Sequence, residues 1–449
     1  MLLGSSFVFV CDSDFSVIKN GGVVYENGEI IEVGIFEELR AKYQNLDSRF
    51  YEDSVLLPAF INAHIHFEFG ANHFHFDYGG FPQWLSSVMK NRDDVLDKID
   101  SIICDEISSQ LECGVGSVGA ISSYGLDMQA LAQSPLKVVY FNEAIGSNPA
   151  AIDMLFSDFK ARFERSLALS SSTFFPAIAI HSPYSVHNVL ARHIINIAKA
   201  NQSLLSTHFL ESKAEREWLS HGKGWFLDFY TNVLKIPNPK PFYTIDEFFE
   251  LFSGLRAVFV HMTNATQSEL RATLDSHHSI ITCPRSNKLL DGKIFNLNAL
   301  RSATKSTQCK AFDVDSLDSA NLDSARIALA SNSPTSSTIA THHHTTNHLA
   351  IGTDGMSSNF NLNLLDELRA GLLCMDTNIE NLAKELLLMA THNGAKALNL
   401  NNGILQKGRL ADFAIFHIPH ITNSTQPHLH FIMSAQKVST LILSGKVIL

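Results

Sequence analysis

The stretch Leu56-Leu57-Pro58-Ala59-Phe60-Ile61-Asn62-Ala63-His64-Ile65-His66 is an apolar, β-rich run that ends on two histidines one residue apart. In a strand, alternate side chains face the same side, so His64 and His66 project together. A lone His-x-His is weak on its own, and the rest of the chain decides its meaning. Seven further short β-rich runs follow, at 115–121, 137–143, 174–181, 204–210, 257–261, 279–283 and 349–353. Helical patterns such as 94–113, 186–201 and 364–374 lie between them. Eight β/α units are the count for a closed parallel barrel, so the expected class is α/β, a (β/α)8 TIM barrel. The third and seventh helical patterns are the weakest.

Outside the repeat the character changes. Residues 1–57 read as short strands and turns, with Asn27-Gly28 as a hairpin signal, and 411–416 and 438–449 read the same way around Ser444-Gly445. The expected division is therefore a small β-sandwich from both termini (1–57 plus 400–449) and a barrel over 58–399. The segment 302–348 is rich in Ser, Thr and Ala and ends in THHHTTNH. It reads as a low-complexity surface insertion over 303–347, with His342, His343, His344 and His348 as solvated loop residues rather than a second metal site.

Composition narrows the function. The chain has 449 residues, 45% hydrophobic and 18% charged, with a formal net charge of -11. That balance supplies a large core, and its acidity argues against nucleic acid or an anionic membrane as partner. The start, MLLGSSFVFV, lacks a basic region and a small-residue cleavage site and reads as a first strand. No apolar stretch reaches membrane-helix length. The six cysteines form no CxxC and read as reduced thiols, in keeping with a cytoplasmic protein.

The chemistry lies at the ends of the runs. His64 and His66 end the first, His208 in Ser206-Thr-His208-Phe-Leu-Glu211 ends the fifth, His261 ends the sixth, and Asp354 in Gly352-Thr-Asp-Gly355 ends the eighth. Singly, each has a bland explanation as a cap or a packed side chain. Jointly they fall at the C-terminal ends of strands, which converge on one mouth in a barrel. Imidazoles with one carboxylate suit a single Zn²⁺, with Fe²⁺ as the alternative. His181, ending the fourth run in His181-Ser-Pro-Tyr184, is open between metal ligand, substrate contact and packed histidine.

With PAFINAHIHFE, HSPYSV, THFLES, VHMT, CPRSN, GTDGMSSN, THNGAKALNL and GILQKGRLADFAIF in order, the chain resembles the amidohydrolase superfamily over nearly its whole length. It is similar to the branch that deaminates S-adenosylhomocysteine, methylthioadenosine and chloro-triazines. Within it, GVGSVGAIS, QSLLSTHFLES, KGWF and NLLDELRA look most like the aminofutalosine deaminases of the futalosine route to menaquinone. The resemblance implies a zinc-dependent hydrolase, a deaminase converting 6-amino-6-deoxyfutalosine to futalosine and ammonia. The alternative is an adenosine, methylthioadenosine or S-adenosylhomocysteine deaminase; the remote one is a non-catalytic scaffold.

Carried over by position, His64, His66, His208 and Asp354 match the metal ligands, Glu211 the catalytic acid/base, His261 the histidine that supports the attacking hydroxide, and His181 a substrate contact. Asp354 doubles as a proton-transfer group. Binuclear relatives commonly need a lysine at the end of the fourth strand, and FFPAIAIHSPY has none, which favours one metal. The departures are Ile65, where a threonine is usual, and the 303–347 insertion. The implied substrate carries a benzoate, which asks for aromatic and cationic contacts. Among Phe74, Phe76, Tyr78, Phe81 and Trp84, the expected contact is Trp84; Arg285 is the expected carboxylate partner, and Glu68 a further substrate contact. The expected partners are a small-molecule adenine nucleoside and a second copy of the chain in a homodimer, with no nucleic acid and no membrane.

Overall fold

The computed structural model describes residues 1–72, 74–96, 102–310 and 348–449. Two sheets organise them. The first is built from both ends of the chain: β1 (Leu2–Phe9), β2 (Val17–Glu26), β3 (Glu29–Ile35) and β4 (Ser48–Pro58) join β14 (Phe413–His417), β15 (Thr440–Leu443) and β16 (Lys446–Val447). The order is β16-β15-β14-β4-β1-β2-β3, so the sandwich expected of the termini takes the form of one hydrogen-bonded ladder. β4 is the seam, parallel to β1 and antiparallel to β14.

The second sheet is the barrel: β5 (Phe60–His66), β6 (Val115–Ser122), β7 (Lys137–Ala144), β8 (Phe174–Ile180), β9 (Leu205–Phe209), β10 (Ala257–His261), β11 (Ser279–Thr282), β12 (Leu349–Ile351) and β13 (Asp354–Gly355). β12 and β13 are two pieces of the eighth strand. β12 pairs with β11 and β13 pairs with β5, both in parallel, so the eighth strand closes the ring. Gly352 sits at the break, where an added Cβ would lie 2.6 Å from the His64 carbonyl oxygen. Asn62 staples the closure: its Nδ2 donates to Thr353 Oγ1 (2.8 Å), and the Thr353 amide donates to its Oδ1 (3.0 Å).

The run 56–66, read as one strand, is two. β4 ends at Pro58 in the terminal sheet and β5 begins at Phe60 in the barrel; proline has no N–H to carry a ladder onward. A second refinement explains the histidine pair. Ile61 and Ala63 pack with Val139, Phe141, Ala177, Val258 and Ile281, a cluster filling the barrel. Ile65 and Phe67 belong instead to the cluster outside it. The pairing of β5 with β6 shifts register between Asn62 and Ile65. This bulge re-aims the strand, so that His64 and His66 take over the inward side.

The pattern at 94–113 appears as two helices, Phe81–Leu96 and Ile103–Glu112, and residues 97–101 of it lie outside the described residues. The expected insertion begins too early: the helix Leu297–Lys310 runs through 303, Ala303 is buried, and its carbonyl accepts from Arg271 Nη1. Most of the segment, including His342, His343 and His344, lies outside the described residues. His348 belongs to none of the metal-capable groups among the described residues. No helix in the described residues is long and apolar enough to cross a membrane.

Candidate functional site

Four of the strand-end residues converge. His64 Nε2 lies 3.2 Å from His66 Nε2 and 3.3 Å from His208 Nε2. Asp354 Oδ1 lies 3.6 Å from His64 Nε2 and 3.5 Å from His66 Nε2. Donors held tetrahedrally about 2.0–2.1 Å from one ion are about 3.3–3.4 Å apart, so the four atoms fit a mononuclear cage. The neighbours prepare them for this. His208 Nδ1 donates to the His181 carbonyl (2.9 Å), which leaves Nε2 its lone pair. Asp354 accepts from Ser286 Oγ (2.7 Å) on Oδ2 and from the Gly355 amide (2.8 Å) on Oδ1, which fixes its plane. Burial pushes His66 down to about 3, with the His64 charge adding to it, and holds His208 well below the usual imidazole range. Burial alone would raise Asp354, but the His64 hydrogen bond and the surrounding imidazoles hold it well below the carboxylate range. Neutral imidazoles at His66 and His208 beside an ionised Asp354 are protonation states that suit a divalent cation.

A second group shares Asp354. His261 Nε2 lies 3.6 Å from Glu211 Oε1 and 3.8 Å from Asp354 Oδ2, and it has no hydrogen-bond partner. Its Nδ1 donates to Asn287 Oδ1 (2.8 Å), so Nε2 faces the two carboxylates unprotonated. Burial, then the Asp354 charge, raises Glu211 well above the carboxylate range. The backbone is bent to make this geometry. Leu210, His261, Met262 and Asp354 all have positive φ, at 52°, 72°, 46° and 60°. Such conformations are costly for non-glycine residues and persist where surrounding structure over-determines them.

These groups open into one cavity, lined at its inner end by His66, His208, Glu211, His261 and Asp354. His181 lines it too, with Nδ1 held by Ser182 Oγ (3.0 Å) and Ser185 Oγ (2.7 Å) and Nε2 left free of them. Trp84 also lines it, its indole N–H donating to the Ser357 carbonyl (2.6 Å). Of the other aromatics considered, Phe74 is exposed, Phe76 and Phe81 are core, and Tyr78 packs beneath the loop after β13.

Two expected substrate contacts are corrected. Glu68 is buried, and its carboxylate accepts from Ser122 Oγ and from the amides of Ser123, Tyr124 and Leu126. It braces the loop after β6 and is not part of the cavity wall. Arg285 is buried as well. Its amide and Nε donate to Glu367 (2.7 and 2.5 Å), Nη1 to Asn361 Oδ1, and Nη2 to the carbonyls of Asn361 and Asn363. Four of the five guanidinium N–H groups are thus engaged within the protein, and Arg285 is not part of the cavity wall.

Three residues that sequence reasoning missed matter here. Ser286 and Asn287, beside Arg285 in the same quoted motif, are the ones that reach Asp354 and His261. Glu143, next to last in β7, lines the cavity with Oε1 free of hydrogen bonds, and burial pushes it up to about 7. The position of Glu143 at a strand end was its only available signal.

The family model for the amidohydrolase family matches residues 55–448. A Helicobacter pylori protein named adenosine deaminase is 38% identical over 99% of this chain and 98% of its own length. The aminodeoxyfutalosine deaminase of a Nitratiruptor species is 36% identical over 96% of each chain. The crystal structure of Helicobacter pylori aminofutalosine deaminase in complex with methylthio-coformycin superposes with a TM-score of 0.87 at 37% identity, covering all of both chains.

Proposed function

From the premise that this chain belongs to the amidohydrolase family, we propose that it hydrolytically deaminates an adenine nucleoside, with 6-amino-6-deoxyfutalosine as the substrate, releasing futalosine and ammonia. Full-length likeness to deaminases of that name in two bacteria supports the substrate. The observation that carries the chemistry is the convergence of four donor atoms beside the Glu211–His261 pair in one cavity.

His64, His66, His208 and Asp354 would hold one divalent ion, Zn²⁺ or Fe²⁺. Such an ion supplies Lewis acidity and brings the pKa of water to about 7. Glu211 takes the proton of the attacking water and passes it to the purine nitrogen beside C6, which makes C6 electrophilic. Burial and the nearby Asp354 charge favour its protonated form, which suits it to holding that proton. His261 Nε2 sits within reach of both carboxylates and accepts a hydrogen bond from the attacking water, which orients its oxygen towards C6. Glu211 or Asp354 then takes the remaining proton of the added hydroxyl and delivers it to the C6 amino group, so that the C6–N bond breaks and ammonia leaves. The division of labour parallels the nucleobase deaminases, in which a non-ligand Glu carries the protons. His181 and Trp84 orient the base and nucleoside.

The second reading is an adenosine-type deaminase, favoured by the name of the Helicobacter pylori relative. Ammonia release from adenosine, 5′-methylthioadenosine, S-adenosylhomocysteine and 6-amino-6-deoxyfutalosine separates the two. The expected result is the highest kcat/KM on the nucleoside bearing the benzoate; equal or higher kcat/KM on adenosine would favour the second reading.

A further inference from the structure

With Arg285 locked into a structural pair, the carboxylate of the proposed substrate has lost its expected partner, and the cavity wall offers another. The helix Phe81–Leu96 presents Trp84, Leu85, Val88, Met89 and Arg92 to the cavity, positions i, i+1, i+4, i+5 and i+8. That spacing is one helical stripe. The stripe runs outward. Trp84 bonds to the loop that follows Asp354, whereas Met89, like Tyr124 and Ile145 across the cavity, is substantially exposed, and the Arg92 side chain is 39% exposed. Eight residues of helix from Trp84 to Arg92 span about 12 Å, which suits a nucleoside lengthened by an aryl group. Leu85, Val88, Ile145, Phe229 and Leu234 give the cavity wall much apolar surface, alongside the polar Ser123, Ser147, Ser185 and Ser357.

Among the described residues that line the cavity, Arg92 is the only Lys or Arg. Its ion pair there is to the neighbouring Asp93, at 3.5 Å, and Asp93 is 89% exposed; such a solvent-screened pair exchanges readily for a better-placed anion. Tyr124 stands close enough for the Arg92 charge to act on its phenol. A largely apolar cavity that carries a guanidinium and a phenol on its wall has the chemistry of an aryl carboxylate site.

We infer that Arg92 binds the carboxylate of the aryl tail and thereby sets the preference for a benzoate-bearing nucleoside over a neutral one. The inference rests on the reading given under the proposed function and deepens it. The test compares wild type with Arg92→Met, which keeps the apolar stem, on 6-amino-6-deoxyfutalosine and on 5′-methylthioadenosine. The expected result is a loss of about 10- to 100-fold in kcat/KM on the acid, mainly through KM, as befits a lost charged hydrogen bond. The ratio of the two kcat/KM values should fall by a similar factor, and turnover of the neutral nucleoside reports that the variant is folded. An unchanged ratio, whether both values hold or both fall together, overturns the role of Arg92 alone. A wild-type enzyme that deaminates 5′-methylthioadenosine but not the acid overturns both the substrate reading and this one.

Discussion

Glu211 is positioned through its backbone. Glu215 accepts from the Leu210 and Glu211 amides (3.0 and 2.8 Å), Ser212 caps the helix Lys213–His221 by accepting from the Glu215 amide, and Asn264 Nδ2 donates to the Glu211 carbonyl. The carboxylate is thus delivered to the cavity without being tied there. Glu211→Gln keeps the shape and loses the proton. The expected outcome is retained metal and substrate binding with kcat lowered by roughly 10²–10⁴-fold or more. Loss of metal in that variant would make Glu211 a ligand, and near-normal turnover would move the proton transfer to another group, His261 first. At the same scale, Arg285 belongs to stability. Arg285→Met strands the buried Glu367 carboxylate, so unfolding free energy should fall by about 3–5 kcal/mol while the KM for the benzoate substrate holds. A selective rise in KM with unchanged stability would restore Arg285 to the substrate. Residue identity was legible at strand ends because the fold sends those ends to one place. It failed for Glu68 and Arg285 because a sequence does not reveal which donors and acceptors are already satisfied.

Elements were legible where a period repeats and illegible where it breaks. All eight barrel runs were found from their β-rich composition. The division of 56–66 between two sheets, the bulge in β5 and the split eighth strand were not, since each depends on pairing with a distant partner. The capping signal Ser212-x-x-Glu215 was present in the sequence and would have located the turn that carries Glu211. The helix Leu297–Lys310 marks another limit: Ser, Thr and Ala content suggested a loop where tertiary packing of Ala303 supports a helix. Replacing 303–347 with a short Gly/Ser linker removes the last two turns of that helix. Its thermal midpoint should lie below that of a protein in which only 311–347 is replaced. Equal midpoints would show that those turns contribute nothing to stability.

Across the whole molecule, the two chain ends form one sheet and the middle forms a ring that the eighth strand closes on the first. Closure brings Asp354 of β13 beside His64 and His66 of β5, so the cage for an ion and the integrity of the barrel depend on the same contact. The order of the eight units made that convergence legible before any distance was known. The spacing of the donor atoms, which fits one ion, came only with the coordinates. The account stands on that single-ion cage, and metal analysis of the purified, active protein tests it most directly. About one Zn²⁺ or Fe²⁺ per chain is expected, with most of it lost in His208→Ala; active protein that carries none, or that holds two tightly bound ions per chain, would contradict it.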